Sequence, residues 1–530
     1  MLKLNFYGAF GLVTLSGCLW FLAVTPFDFS FLAWFAAVPM LLAVDRAPTF
    51  KQALFLGWWA GVVETAGGFY WLIDTTQRFA DFPWWAGVLV LLLFCAARAL
   101  IFLLFTGVVR FVRERRRLPM TLLGPIVMVG CELVVPQIFP CGQYISQAWH
   151  PLVIQIAELT GPLGITALLM LVNGALYDLS ADGRAAHRPA LAAAAVLAAA
   201  LIFGAVRMHQ VDDIAAGAPR LKVGLVQPNF AYAVAGEFSR DEAIHQLTAL
   251  QAESRRLESA GAQLVVWSEG AYPATLPRNF SADFAPGYQG MVRRGLTIPE
   301  IIGAEMYDPA QLDAYNSAIL LDGNGRVTGL YDKVRLLAFG EYIPGVEAFP
   351  WLRKLLPEGA GQFTAGKGPG VMSFRGPGVM SFRGPGGEDW QLGPVICYED
   401  ILQGFLRGVG RLHPNLLVNL TSDSWFGAES EPWEHLALAV FAGVELRVGM
   451  VRAVNSGVSA LIDPNGRVVQ KTYADDPYRN PRAADGIVVE VPRMPATHTV
   501  YVAVGDLFAY LCIAATLILV GAAAGSKRAK

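Results

Sequence analysis

A membrane α-helical bundle of about eight spans, joined to an extramembrane α/β domain, is the fold class this sequence predicts. Three observations lead there. Hydrophobic residues make up 54% of the 530-residue chain and charged residues 16%, with a mean hydropathy of +0.43, whereas a soluble globule is nearer a quarter charged. The apolar residues are concentrated in Met1 to about Val206 and in a last run near the C-terminus, with soluble-like composition between Leu221 and Val491. Lysine and arginine collect on one side of the apolar runs. The formal net charge of −2 leaves no overall basic field, so a nucleic-acid partner is not expected.

A spanning helix needs about 20 apolar residues. The runs are Gly8–Val24, Phe31–Val44, Ala53–Ile73, Trp84–Val109, Met120–Phe139, Leu152–Tyr177, Ala190–Val206 and Val500–Ala524. The first has no convincing cleavage site after it and is read as a retained helix. If the runs alternate, Lys3, Arg46, Lys51, Arg110, Arg113, Arg115–Arg117, Arg184 and Arg188 share one side with Lys527, Arg528 and Lys530. The positive-inside rule makes that side cytoplasmic and puts the middle of the chain outside. The expected organisation is a transmembrane domain over 1–210 with about seven spans, a catalytic domain over 220–495, a C-terminal helix over 499–524 and a basic tail over 525–530. Glu64, Asp74, Arg98, Glu132 and Glu158 are ionisable residues in or near spans, with functional and structural roles both open.

In the middle segment, short apolar runs rich in β-branched residues predict strands at Leu221–Val226, Gln263–Trp267, Ile301–Glu305, Ser317–Leu321, Val327–Tyr331, Gly393–Ile396, Leu416–Leu420, Val458–Ile462 and Gly486–Val491. Ser239 with Glu242 three residues on predicts a helix to about Ser259, closed by Gly261. A second helix is expected over Trp433–Val454. Strands interleaved with helices predict a layered α/β domain. The octapeptide Gly368–Arg375 recurs as Gly376–Arg383 and reads as a duplication in a surface loop or hairpin edge. The six cysteines and seven histidines show no zinc spacing and no disulfide framework, so neither metal nor disulfide is expected.

Glu269, Lys333 and Cys397 each follow a predicted strand, where a rigid scaffold can present a group from a loop. A thiol needs a base to become the nucleophilic thiolate. A carboxylate in a dry pocket can be that base, and an ammonium can stabilise the oxyanion of a tetrahedral intermediate. The three are a sufficient set for acyl transfer, although taken singly a cysteine at a strand end is usually packing and a glutamate or lysine usually surface.

WSEGAYP at Trp267–Pro273, YDKVRLLAFGEYIP at Tyr331–Pro344 and VICYED at Val395–Asp400 resemble the three motif blocks of the nitrilase superfamily. With FPCGQYISQ at Phe139–Gln147, AYNSA at Ala314–Ala318, SDSWFG at Ser422–Gly427 and PWEH at Pro432–His435, the whole chain resembles the bacterial apolipoprotein N-acyltransferase family. The resemblance implies a nitrilase-like αββα sandwich in the periplasm, on an inner-membrane helical domain. It implies Glu269 as general base, Lys333 as oxyanion stabiliser and Cys397 as nucleophile. Glu341, Tyr398 and Glu399 are implied as active-site support, Asn316 and Trp425 as substrate-side or lid positions. Ser268 and Ala338 depart from the prolines usual at those places.

The implied reaction takes a fatty acyl chain from a membrane phospholipid, with phosphatidylethanolamine as the expected donor, through a Cys397 thioester. The acceptor is the α-amino group of the diacylglyceryl cysteine of an apolipoprotein. No cofactor is called for, and a monomer is expected. The alternative is a membrane-anchored amidohydrolase in which water accepts the acyl group. Val346–Leu356 is apolar and Pro/Gly-flanked; an arm touching lipid and packing onto the domain are both open.

Overall fold

The computed structural model describes residues 5–526 apart from 81, 231–238, 347, 356–362, 369–379, 384–386, 388, 428–429, 473–484 and 497. The chain divides into two compact units. One comprises Met1–Gln77, Asp81–His209 and Val504–Lys530, the other Arg78–Ala80 and Gln210–Ala503.

The first unit is helical. Among the described residues, four helices are long and apolar enough to cross a membrane: Trp84–Arg113, Leu163–Ala181, His187–Ala216 and Leu507–Ala524. Phe6–Leu22, Ser30–Asp45, Met120–Val134 and Pro151–Thr160 are apolar but shorter. Two expected runs are interrupted where the backbone turns left-handed, which ends a helix. Leu152–Tyr177 is broken at Gly161 (φ 68°) and Val500–Ala524 at Gly505 (φ 65°). Protein covers only 11% of the apolar window of His187–Ala216 and 17% of that of Leu507–Ala524. Leu191, Ile202, Leu517 and Ile518 are correspondingly exposed. So much uncovered apolar surface needs a non-aqueous neighbour.

Several buried ionisable residues of this unit are paired. Arg98 pairs with Glu64 at 3.5 Å and donates to Gln137 and the Cys141 carbonyl. Glu132 accepts from the Gln143 N–H at 3.0 Å and the Thr166 hydroxyl at 2.9 Å. Glu158 pairs with Arg207 at 2.8 Å. Asp178 accepts from Met120 and Thr121, capping buried amides at the start of Met120–Val134 that have no partner within the helix. Glu64, Arg98, Glu132 and Glu158 therefore each have a structural partner; Asp74 lies in the helix Leu72–Ala80.

The second unit contains two mixed sheets. The strands are β1 Arg220–Gln227, β2 Leu264–Val266, β3 Leu276–Pro277, β4 Glu300–Asp308, β5 Asp313–Leu321, β6 Val327–Asp332, β7 Met380–Arg383, β8 Asp389–Ile396, β9 Leu416–Thr421, β10 Gly449–Val454, β11 Ala460–Ile462, β12 Val468–Lys471 and β13 Asp485–Pro492. One sheet runs β13-β1-β2-β4-β5-β6 with β3 beside β4, the other β12-β11-β10-β9-β8-β7. β1, β2 and β4 are parallel, as are β8, β9 and β10. The sheets meet through β1 and β10. Helix Arg240–Ser259 packs on the first sheet, and Glu431–Leu446 packs against β10 of the second. Central strands buried on both faces read as continuous apolar runs, which is why β1, β8 and β9 were legible.

Ser239 caps its helix through the Glu242 N–H at 3.2 Å, and Gly261 follows with φ 95°, as expected. Asp322 accepts from the amides of Asn324 and Arg326, making the turn between antiparallel β5 and β6. The second helix is a correction. It ends at Leu446, Arg447 adopts φ 54°, and the remainder is strand β10. Gly449–Val454 is wholly buried between β9 and β11, so ladder pairing overrode the helical periodicity. Only the MSFR end of the second octapeptide copy is described, and it is the edge strand β7; 369–379 lie outside the described residues. In the segment Val346–Leu356, Phe349 and Trp351 are exposed, while 347 and 356 lie outside the described residues.

Candidate active site

β6 runs antiparallel to β5, and β5 to β4; β6 therefore shares its direction with β2 and β4. Glu269 follows β2, Lys333 follows β6 and Cys397 follows β8. Each stands beyond the C-terminal end of its strand, the usual ligand edge of parallel sheets.

Glu269 sits on a turn pressed against β4. A Cβ on Gly303 would lie 2.1 Å from the Ser268 carbonyl oxygen, so only bare backbone lets the two segments touch. Lys333 is 1% exposed. Its Nζ lies 3.1 Å from Glu269 Oε1 and 2.9 Å from Glu341 Oε1. Asn316 on β5 donates from one amide nitrogen to both carboxylates, at 2.7 Å to Glu269 and 3.1 Å to Glu341. The Leu337 N–H holds the other oxygen of Glu341 at 2.8 Å. A buried ammonium flanked by carboxylates and an amide is the arrangement that makes ion burial tolerable.

Cys397 is the first residue of a short turn, Cys397–Ile401, with φ 50°. A non-glycine residue in that region is strained, and such strain concentrates where a side chain must be aimed. The neighbouring Glu399 holds this turn. Its carboxylate accepts from Val334 N at 2.7 Å, Arg335 N at 2.9 Å, Ile396 N at 2.8 Å and the Tyr331 hydroxyl at 2.7 Å. One side chain thus ties the lysine loop to the cysteine loop. Burial pushes the Glu399 pKa up to about 7, with those donors pulling the other way.

Burial raises the Glu269 carboxyl above its ordinary range; Lys333 opposes this and Glu341 adds to it. Burial also pushes the Cys397 thiol well up, Glu269 and Asp423 adding to the rise and Lys333 opposing it. Desolvation pulls Lys333 down, but Glu269, Glu341 and Cys397 together leave it raised and charged. Glu269 Oε2 is buried without a hydrogen-bond partner. A carboxylate oxygen left unsatisfied beside a high-pKa thiol is suited to taking its proton.

The structure therefore brings Glu269, Lys333, Glu341 and Asn316 into one cluster, and Cys397 into their electrostatic reach. Asn316, expected on the substrate side or on a lid, bridges the two carboxylates. Tyr398 is half-buried, and burial raises its hydroxyl pKa to about 12. Trp425 closes the turn Asp423–Trp425 after β9. Sequence reasoning gave no role to Tyr331, Asp400 or His435, although each stands in a quoted motif block, nor to the buried Arg452, which stands in none.

Two family models match the chain: the apolipoprotein N-acyltransferase N-terminal domain over residues 16–175 and carbon-nitrogen hydrolase over residues 222–476. The chain is 30% identical over 529 residues to an apolipoprotein N-acyltransferase of Geobacter metallireducens, covering 96% of this chain and 94% of that one. It is 29% identical over 462 residues to an apolipoprotein N-acyltransferase of Bdellovibrio bacteriovorus, covering 83% and 81%. A crystal structure of an amidase from Nesterenkonia sp. aligns at 18% identity with a TM-score of 0.36, covering 55% of this chain and 95% of that one.

Proposed function

The chain belongs to the apolipoprotein N-acyltransferase family, and from that premise we propose that it transfers a fatty acyl chain from a membrane phospholipid to the α-amino group of an apolipoprotein's diacylglyceryl cysteine. The observation that carries the mechanism is the Lys333 ammonium held between Glu269 and Glu341 beside the Cys397 thiol. Glu269 takes the thiol proton, and the thiolate attacks the ester carbonyl of the phospholipid, with phosphatidylethanolamine as the donor. Lys333 stabilises the tetrahedral oxyanion. The intermediate collapses, Glu269 returns the proton to the departing lysophospholipid oxygen, and the acyl group remains as a thioester. In the second half-reaction the acceptor amine attacks the thioester and gives up a proton to Glu269. Cys397 then leaves as thiolate and recovers that proton. Each half passes through an oxyanion at one position, so one lysine serves both.

A two-stage assay with labelled phospholipid tests this, first without and then with an acceptor lipopeptide. A labelled acyl adduct that moves to the lipopeptide amine is the expected result. Release of free fatty acid alone would favour the amidohydrolase, with water in the place of the amine.

The proposal includes the organisation inferred from the sequence. About seven spans lie in 1–210, the catalytic domain over 220–495 is periplasmic, the helix over 499–524 returns the chain, and the enzyme is a monomer of the inner membrane. One-sided lysine and arginine support that orientation. Cysteine labelling is expected to find position 115 cytoplasmic and position 278 outside; both on one side would rule out this topology.

A further inference from the structure

The mechanism above leaves unused a buried ionic network that begins on the nucleophile's own turn. Asp400 lies three residues after Cys397 within Cys397–Ile401 and pairs with Arg452 of β10, both fully buried. His435, on the helix Glu431–Leu446, sits with Nε2 2.8 Å from Asp400 Oδ1 and Nδ1 2.9 Å from Asp423 Oδ1. Asp423 opens the turn that carries Trp425. The register of β8 and β9 pairs Ile396 with Leu420, so the Cys397 turn and the segment leading to Asp423 leave adjacent parallel strands side by side.

An imidazole with a carboxylate at hydrogen-bond distance from each nitrogen must carry a proton on both, because a bare lone pair facing a carboxylate would be repelled. His435 is therefore an imidazolium. Burial works against its charge, but Asp400 and Asp423 outweigh it and raise the pKa to about 10. Asp400 and Asp423 face Arg452 and His435, and the buried Glu434 on the same helix adds to the negative side around Glu431. Glu431, one helical turn away with Oε1 3.8 Å from Nδ1, is raised well above the carboxylate range by burial and by Asp423. Donor atoms of Asp423, Glu431 and His435 lie within 4.8 Å of one another, but both imidazole nitrogens are engaged and leave no lone pair for a metal.

We propose that His435 is a positioning residue whose imidazolium clamps the Cys397 turn to the Trp425 turn and supplies the positive charge that offsets Asp423 when Cys397 ionises. Glu269 and Asp423 both oppose the thiolate; the His435 imidazolium, hydrogen-bonded to Asp423, offsets the Asp423 part of that opposition. The inference rests on Cys397 being the nucleophile, and the test keeps the two apart.

The test uses the full-length enzyme in detergent and follows iodoacetamide alkylation of Cys397 against pH, with the adduct mapped by mass spectrometry. His435→Gln keeps hydrogen bonding and removes the charge. It is expected to move the alkylation midpoint up by about one pH unit, about tenfold slower alkylation below the midpoint. Asp423→Asn removes the opposing charge, leaves Asp400 to hold the imidazolium, and is expected to move the midpoint down. Opposite shifts are the signature of charge compensation; a packing role alone would leave both midpoints in place or move them the same way, and either result overturns the inference. If His435→Gln does not fold, Asp423→Asn decides: a midpoint that fails to fall overturns it. Stoichiometric metal in the wild type that disappears in Asp423→Asn would also overturn it. Failure of the nucleophile reading would look different, as an acyl adduct persisting in Cys397→Ala.

Discussion

Cys397→Ala is expected to leave no acyl enzyme after incubation with labelled phospholipid and to reduce lipopeptide acylation to background. Cys18→Ala and Cys512→Ala should retain both activities. Cys18 and Cys512 belong to the apolar helices Phe6–Leu22 and Leu507–Ala524 and, among the described residues, have no base or ammonium assembled around them comparable to Glu269 and Lys333. The side chain removed is small, so a cost of about 1 kcal/mol is expected, and the variant should remain folded. Intact-protein mass spectrometry, followed by peptide mapping, checks the result. A full-sized acyl adduct in Cys397→Ala would remove Cys397 from the mechanism.

Glu269→Gln and Lys333→Ala are each expected to slow thioester formation by about 100- to 1000-fold, for different reasons. The amide of Glu269→Gln keeps the shape but cannot take the thiol proton. The loss must therefore appear in the first half-reaction, measured without acceptor. The pH profile gives a second readout. Burial raises the Glu269 pKa, and only the ionised form is a base, so the wild-type rate falls as pH drops through that raised pKa. The residual rate of Glu269→Gln should lack this limb. Normal accumulation of the acyl enzyme in Glu269→Gln would show that another group deprotonates Cys397.

Lys333→Ala should impair both half-reactions, since each passes through an oxyanion. It also leaves Glu269 and Glu341 facing each other without their shared cation. Breaking a buried pair in this way costs about 3–5 kcal/mol unless one carboxylate takes up a proton, and a protonated Glu269 is no base. Part of the activity loss is thus indirect, and thermal unfolding of the variant should show the destabilisation that Glu269→Gln lacks.

Glu269, Lys333 and Cys397 could be nominated because each follows a short buried strand and stands inside a motif of ordered residues. The contribution of Asn316 was not, because its position between two carboxylates depends on β5 lying beside β6 and on the return of the loop that carries Glu341. His435 stands in the PWEH block, but its role was not legible. Its partners Asp400 and Asp423 are 35 and 12 residues away in the chain, so nothing local to that block marks the network.

By itself the sequence determined the division into an apolar helical part and an α/β part, most of the strands, and the three residues nominated for chemistry. Composition, hydrophobic runs and local motifs are properties of neighbouring residues, and neighbours suffice to read them. Only the tertiary structure decided that Gly449–Val454 is a strand rather than the end of a helix. A short run that is apolar except for Arg452 fits either form, and the choice depends on whether a ladder partner is waiting, as β9 and β11 are. Only the tertiary structure, likewise, broke the runs at Gly161 and Gly505 and joined Asp400, Asp423, His435 and Arg452 into one network. The low dielectric of the interior makes unpaired charge so costly that such groups must find one another, but which ones meet is set by how the strands and helices pack.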